Sequence, residues 1–322
     1  MRALRGLGLL ALFLGFVQVV FGAIVRITGS GMGCGDHWPD CYGSFTPAHS
    51  GPNLLVEISH RYGAAALSFA IGALAVTAWL KRREPGVGGP GGVMRASLVA
   101  IVLVVAAALF GAVTVRMALH PPVVVTHLAI AMALLAVLVI VVVRAGGLGG
   151  LAIAERSERT LRSARVAVVL TFLALVLGAL TANTPGAPVV CQGFPWCRTI
   201  GEGGTPLWIH ATHRVIAFLL VGHLIGVALG VRKRSEAKPI RAAAWTALGI
   251  VVLQIVIAAA MVEMHLPASL RSLHQAIGTA LWISVVTLAA LSSRRSFMTD
   301  IETIVYESPS RGQYATPEGV ST

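Results

Sequence analysis

The sequence predicts an all-α integral membrane protein: eight transmembrane helices arranged as two pseudo-twofold-related four-helix bundles, with both termini cytoplasmic. Three observations predict it. Apolar residues come in long uncharged blocks, Lys and Arg alternate sides from loop to loop, and the second half of the chain repeats the pattern of the first.

The blocks come first. Of 322 residues, 56% are hydrophobic and only 12% are charged, with a mean hydropathy of +0.81. A soluble core helix shows an apolar stripe, whereas a membrane span is apolar all round. About 20 apolar residues cross the ~30 Å hydrocarbon layer. Eight stretches meet or approach that length: 7–26, 54–80, 96–115, 122–143, 166–182, 207–231, 242–262 and 268–291. The first follows a Met-Arg-Ala-Leu-Arg start. It is longer than a signal-peptide core and lacks a small-x-small cleavage site, so it reads as a retained helix.

A formal charge of +12 suggests nucleic acid until its distribution is read. All but six of the Lys and Arg residues fall on the side of the N-terminus; Arg26, Arg61, Arg116, Arg198, Arg214 and Arg271 fall on the other. This is the positive-inside bias of a multi-pass protein, which argues against a nucleic-acid partner and for contact with anionic membrane lipid. The expected location is a bacterial cell membrane.

Between the second and third segments, residues 82–95 are rich in Gly and Pro. No strand precedes them and no Lys-Ser/Thr follows, so they read as a flexible linker, not a phosphate loop. The halves divide as 1–143 and 166–293, joined by a cytoplasmic linker at 144–165 and followed by a polar tail, 294–322, expected to be disordered.

The repeat is the most informative feature. Segment one ends Phe21-Gly22-Ala23 and segment five Leu177-Gly178-Ala179, each before a loop with two cysteines. Segment two carries Glu57-Ile58-Ser59-His60-Arg61, and segment six His210-Ala211-Thr212-His213-Arg214. Segments four and eight carry His127 and His274. Four helices per half give both halves the same orientation, so the pseudo-twofold runs along the membrane normal.

His60, His127, His213 and His274 each lie on an even-numbered segment, 5 to 8 residues after Pro52, Pro122, Pro206 or Pro267. That is roughly 8–12 Å below each helix start. Second and fourth helices sit diagonally in a four-helix bundle, so their imidazoles face each other across its interior. Two imidazoles sharing one iron suit a flat macrocycle, and two bundles give two haem sites. A lone intramembrane histidine bonded to a neighbouring helix is the plainer alternative, but four at matched depth argue against it. Zinc lacks a converging Cys or carboxylate set apart from Glu57. A respiratory cytochrome b would stack two histidines along one helix. His223 has no counterpart in the first half and reads as a packing residue. His120 and His265, taken as repeat-related, either meet haem carboxylates or cap helices, and His37 and His49 read as loop residues.

The halves differ three residues before the helix-two histidine, where Glu57 stands in the first half and His210 in the second. Positions i and i+3 share a helix face, so Glu57 faces the cavity of His60. A buried carboxylate needs a partner or a task. An ion pair with Arg61 or Arg26 supplies the first, and chemistry on the first half's haem the second.

These motifs resemble the haem A synthase family: Thr28-Gly29-Ser30-Gly31-Met32-Gly33-Cys34 with Trp38-Pro39-Asp40-Cys41, Glu57-Ile58-Ser59-His60-Arg61, His127, Cys191 with Cys197, His210-Ala211-Thr212-His213-Arg214 and His274. The resemblance covers residues 1 to about 293. It implies oxidation of a ring methyl of haem O to a formyl group, giving haem A for terminal oxidase assembly. It further implies that His60 and His127 bind the substrate haem O, that His213 and His274 bind a haem b cofactor, and that Glu57 is catalytic. A haem O synthase (a farnesyltransferase) and an electron donor are the implied partners, and the oligomeric state stays open. The alternative is a non-catalytic di-haem b electron-transfer membrane protein, which needs no asymmetric carboxylate. A transporter fits parallel repeats but not eight unbroken spans.

Four cysteines fall as two loop pairs on the side opposite the basic loops. An even count in an oxidising compartment predicts the disulfides Cys34–Cys41 and Cys191–Cys197, read as clamps over the haem pockets in preference to catalytic thiols.

Overall fold

A computed structural model describes residues 1–45, 51–150, 157–201 and 203–293. The tail 294–322, His49 and residues 151–156 of the linker lie outside the described residues.

Eight helices, each long and apolar enough to cross a membrane, make up the multi-pass fold: α1 (Arg2–Ile27), α2 (Pro52–Leu80), α3 (Val93–Arg116), α4 (Pro121–Arg144), α5 (Glu158–Asn183), α6 (Thr205–Lys233), α7 (Lys238–Glu263) and α8 (Ala268–Ser293). Helices suit this setting because they satisfy every backbone polar group internally. Pro occupies the first or second position of α2, α4, α6 and α7, where its missing N–H has no intrahelical partner to lose. The described β-structure is a two-residue ladder, β1 (Cys191–Gln192) with β2 (Thr199–Ile200), and a single bridge between Cys41 and Ser44.

In the first half α1–α4 pack in chain order around a ring, and in the second half α5–α8 do the same. This places α2 across from α4 and α6 across from α8, the diagonals that the histidines require. The halves meet where α8 packs on α1 and α4, and α4 on α5. Met132, Leu135, Leu138, Val139 and Val142 of α4 share one core cluster with Leu288 and Leu291 of α8. Trp282 Nε1 donates to the Met132 carbonyl at 2.8 Å across this seam. α8 is the most buried of the eight helices.

Three expectations need correction. The fifth apolar segment, read as 166–182 and as the shortest, open to extension in either direction, does extend: α5 begins at Glu158, inside the segment read as linker. Thr160, Leu161, Ala164 and Ala167 are buried at helical spacing, while Arg159, Arg162 and Arg165 between them depress hydropathy and hide the helix. The Gly/Pro-rich stretch at 82–95 is not a loose linker: 82–92 form a series of bonded turns and 93–95 begin α3. Val87 is fully buried, bonding through its N–H to the Glu84 carbonyl and through its carbonyl to the Met94 N–H. Finally, His120 and His265 are not equivalent. His120 directly precedes α4 with φ −53°, whereas His265 lies in the left-handed region (φ 59°), three residues before α8. The matching left-handed pairs are Ala118–Leu119 and His265–Leu266, so the equivalent of His265 is Ala118.

Candidate functional site

Each ring encloses a cavity containing its own pair of histidines. The first-half cavity, about 490 Å³, is lined by His60 and His127 together with Gln18, Gly22, Glu57, Arg61 and Gly111. The second-half cavity, about 410 Å³, is lined by His213 and His274 together with Gly178, His210, Arg214 and Gln254.

Glycines explain how these pockets fit their imidazoles. A Cβ on Gly22 would lie 3.2 Å from His60 Cε1, and one on Gly178 3.0 Å from His213 Cε1. The Gly-Ala repeat at the ends of segments one and five therefore lets α1 and α5 approach a histidine on the neighbouring helix. Gly111 does the same more loosely for His127, at 3.6 Å.

The ring nitrogens are held differently in the two halves. His213 Nδ1 donates to the Ala174 carbonyl at 3.0 Å, which fixes its orientation and turns the other nitrogen's lone pair free. His60 has no such anchor. The Gln18 amide nitrogen donates to the His60 carbonyl at 2.8 Å and lies 3.0 Å from its Nδ1. The Gln254 amide nitrogen likewise donates to the His274 carbonyl at 3.0 Å and lies 3.2 Å from its Nε2. Nδ1 of His127 and of His274 are buried without a hydrogen-bond partner.

Glu57 is 3% exposed and lines the first cavity beside His60, and it is also ion-paired. Arg61 Nη2 donates to Glu57 Oε1 at 2.5 Å, and the Cys34 N–H donates to Oε2 at 2.9 Å. The remaining donors of Arg61 reach the carbonyls of His37, Pro39 and Asp40. In the second half Arg214 plays the same clamping part. It donates to His210 Nε2 at 3.0 Å and to the carbonyls of Cys191, Gly193 and Pro195, while His210 Nδ1 donates to the Ala187 carbonyl at 2.7 Å. Each clamp holds a disulfide loop over its cavity, and the pairs Cys34–Cys41 and Cys191–Cys197 are both bonded. The partner of Glu57 is therefore Arg61 and not Arg26.

His223 donates from Nε2 to the Ser163 carbonyl at 2.9 Å, the packing role expected of it. His37 packs against the Tyr42 ring at 5.1 Å in the loop. Gly22 and Gly178 were marked by the repeat but given no role, and Gln18 and Gln254 were not singled out from sequence. The glutamines were detectable as rare polar residues within apolar spans.

Each cavity offers two imidazoles from facing helices, the donor set that the iron of a planar tetrapyrrole would need. Among the described residues no three His, Cys, Asp or Glu side chains converge as a metal set. A donor set of two imidazoles suits an iron whose other ligands come from a macrocycle. The two unpartnered Nδ1 atoms and the glycine-cleared walls agree with that requirement.

Fold and site thus define a multi-pass helical membrane protein with two paired-histidine cavities. More narrowly, the chain belongs to the COX15-CtaA family of cytochrome oxidase assembly proteins, whose model matches residues 5–51 and 50–286. Similar curated proteins are named Heme A synthase. One from Bacillus cereus (strain AH187) is 24% identical over 284 residues, covering 86% of this chain and 89% of its own length. One from Bacillus licheniformis is 27% identical over 234 residues, covering 71% and 75%. One from Bacillus pumilus is 26% identical over 231 residues, covering 68% and 71%.

Proposed function

We propose that this chain is an enzyme of haem A biosynthesis, an oxidoreductase that converts a ring methyl of haem O to a formyl group. The observation that carries this reading is the asymmetry of two otherwise parallel cavities: Glu57 stands beside His60 in one, and His210 beside His213 in the other. The family and the names of its relatives supply the substrate class.

In this reading His60 and His127 hold haem O, while His213 and His274 hold haem b. When bound, the haem b supplies one-electron redox chemistry. The protein's contribution is position and charge. Helices α2 and α4 present the two imidazoles from opposite walls of the cavity, and His60 and His127 would hold the substrate's iron between them. Arg61 fixes the orientation of the Glu57 carboxylate, and the Cys34 N–H fixes its second oxygen. The net change from R–CH3 to R–CHO removes four electrons and adds one oxygen atom, both the electron acceptor and the oxygen coming from outside the chain. Withdrawing electrons from a methyl conjugated to the macrocycle develops positive charge at that carbon and releases protons. A carboxylate in a water-poor cavity stabilises that charge and takes up a proton. The disulfide loop, pulled down by Arg61, limits water above the reacting edge.

The proposal places the chain in a bacterial cell membrane with both termini cytoplasmic. A farnesyltransferase supplies haem O, a separate donor exchanges electrons, and a terminal oxidase receives haem A. The test is co-expression with a haem O source, followed by extraction and chromatography of the haems. Haem A is expected with the wild-type chain and is expected to fall by about 100-fold in Glu57→Gln, the size of a lost proton-transfer group. Haem A at the wild-type level in that variant would remove Glu57 from the mechanism.

A further inference from the structure

The two cavities share a wall. Arg26 at the end of α1, Ala179 and Ala182 of α5, and Gln275 of α8 line both of them. The polar side chains of that wall are hydrogen-bond donors in search of an acceptor. Arg26 uses one nitrogen, Nη1, on the Ala182 carbonyl at 3.3 Å. Among the described residues it has no carboxylate partner. Among the described residues, Gln275 Nε2 is buried without a hydrogen-bond partner. Arg271, one turn before Gln275 on α8, lines the second cavity alone, and its side chain also lacks a carboxylate.

The charge balance sharpens the point. Arg26, Arg214 and Arg271 line the second cavity, and no Asp or Glu does. Arg214 makes four hydrogen bonds, to His210 and three carbonyls, whereas Arg26 makes one. Arg26 and Arg271 face the same cavity from α1 and α8. Two half-buried guanidiniums and an amide N–H, sharing no acid, make a costly arrangement until an anion enters. The one acid of the first cavity, Glu57, is already bound to Arg61.

We propose that the Arg26–Gln275 wall is a carboxylate site common to both cavities, receiving a haem propionate from either side, with Arg271 as a second arm for the second cavity alone. The geometry gives the site three donors from two helices, and guanidinium–carboxylate pairs are among the stronger charge-assisted hydrogen bonds. Because one arginine serves both pockets, the haem in one pocket alters the anchoring available to the haem in the other.

This inference rests on the two-haem reading, and its test separates the two. Full-length protein is purified without haem in two backgrounds. His60→Ala with His127→Ala leaves only the second pair, and His213→Ala with His274→Ala leaves only the first. Each is titrated with haem b and with its dimethyl ester, which lacks the carboxylates. Arg26→Gln is expected to weaken haem b binding about tenfold in both backgrounds while leaving the ester unchanged, and Arg26→Lys to retain most of the affinity. Gln275→Leu is expected to act in both backgrounds to a smaller extent, and Arg271→Gln only where His213 and His274 remain. Equal weakening of acid and ester, or an Arg26 effect confined to one background, overturns the shared site. Failure of both backgrounds to bind either haem overturns the two-haem reading instead. Comparing acid with ester on the same variant keeps the result independent of any folding defect.

Discussion

The two cavities were built from one plan and then made unequal at a few atoms. In the second, the imidazole of His213 is tied by Nδ1 to a backbone carbonyl, and Arg214 clamps the loop through His210. In the first, the corresponding imidazole of His60 is met by the side chain of Gln18, and Arg61 clamps the loop through Glu57. A ligand anchored to a helix backbone cannot turn without breaking that bond. One met by a flexible glutamine can. Under the function proposed above, the tied imidazole would belong to the resident haem and the other to the haem that is exchanged. The clamp accepts different partners at this position, a carboxylate for Arg61 and an imidazole for Arg214, which leaves the residue type there free to vary.

The most direct way to break this contrast is to remove the ligands. His213→Ala and His274→Ala are each expected to abolish the Soret band of the purified protein, while His60→Ala and His127→Ala retain it. The opposite pattern would exchange the roles of the cavities. Next in size, Glu57→Asp is expected to make less haem A than wild type but more than Glu57→Gln, by about tenfold, because it keeps the charge and shortens the reach to Arg61. Chromatography of extracted haems measures it. Smaller still, Gly178→Ala pushes a methyl to 3.0 Å from His213 and is expected to cost about 1–3 kcal/mol of overpacking, read as a weakened, shifted Soret band. Gly22→Ala, at 3.2 Å from His60, leaves that band in place and lowers turnover. Least of all, Trp282→Phe deletes one bond across the seam and is expected to cost about 1 kcal/mol of thermal stability, with both cavities intact.

The eight spans were legible because lipid leaves the chain little choice: apolar blocks of the right length must be helices. The diagonal histidines were legible because the repeat marked them. Other features were hidden for identifiable reasons. The start of α5 is masked by three arginines whose small neighbours, Thr160 and Ala164, are the buried ones. At the same end, Thr160 bonds the carboxylate of Glu236 and Arg234 Nε, a pairing of residues 74 and 76 positions apart that no local pattern reveals. The mispairing of His120 with His265 came from matching residue types, whereas the backbone aligns their turns two residues differently. The role of Arg26 depends on the meeting of α1 with α5 and α8, which the sequence of either half leaves open.

The bond from Trp282 to Met132 joins the two helices that carry His274 and His127. An indole nitrogen bound to a main-chain oxygen in a water-poor seam resists sliding of α8 along α4. The two histidine layers are thus locked at a fixed relative height. A change in bilayer thickness that slid α8 along α4 would have to break this bond, so tilting of the two helices together is the less costly response.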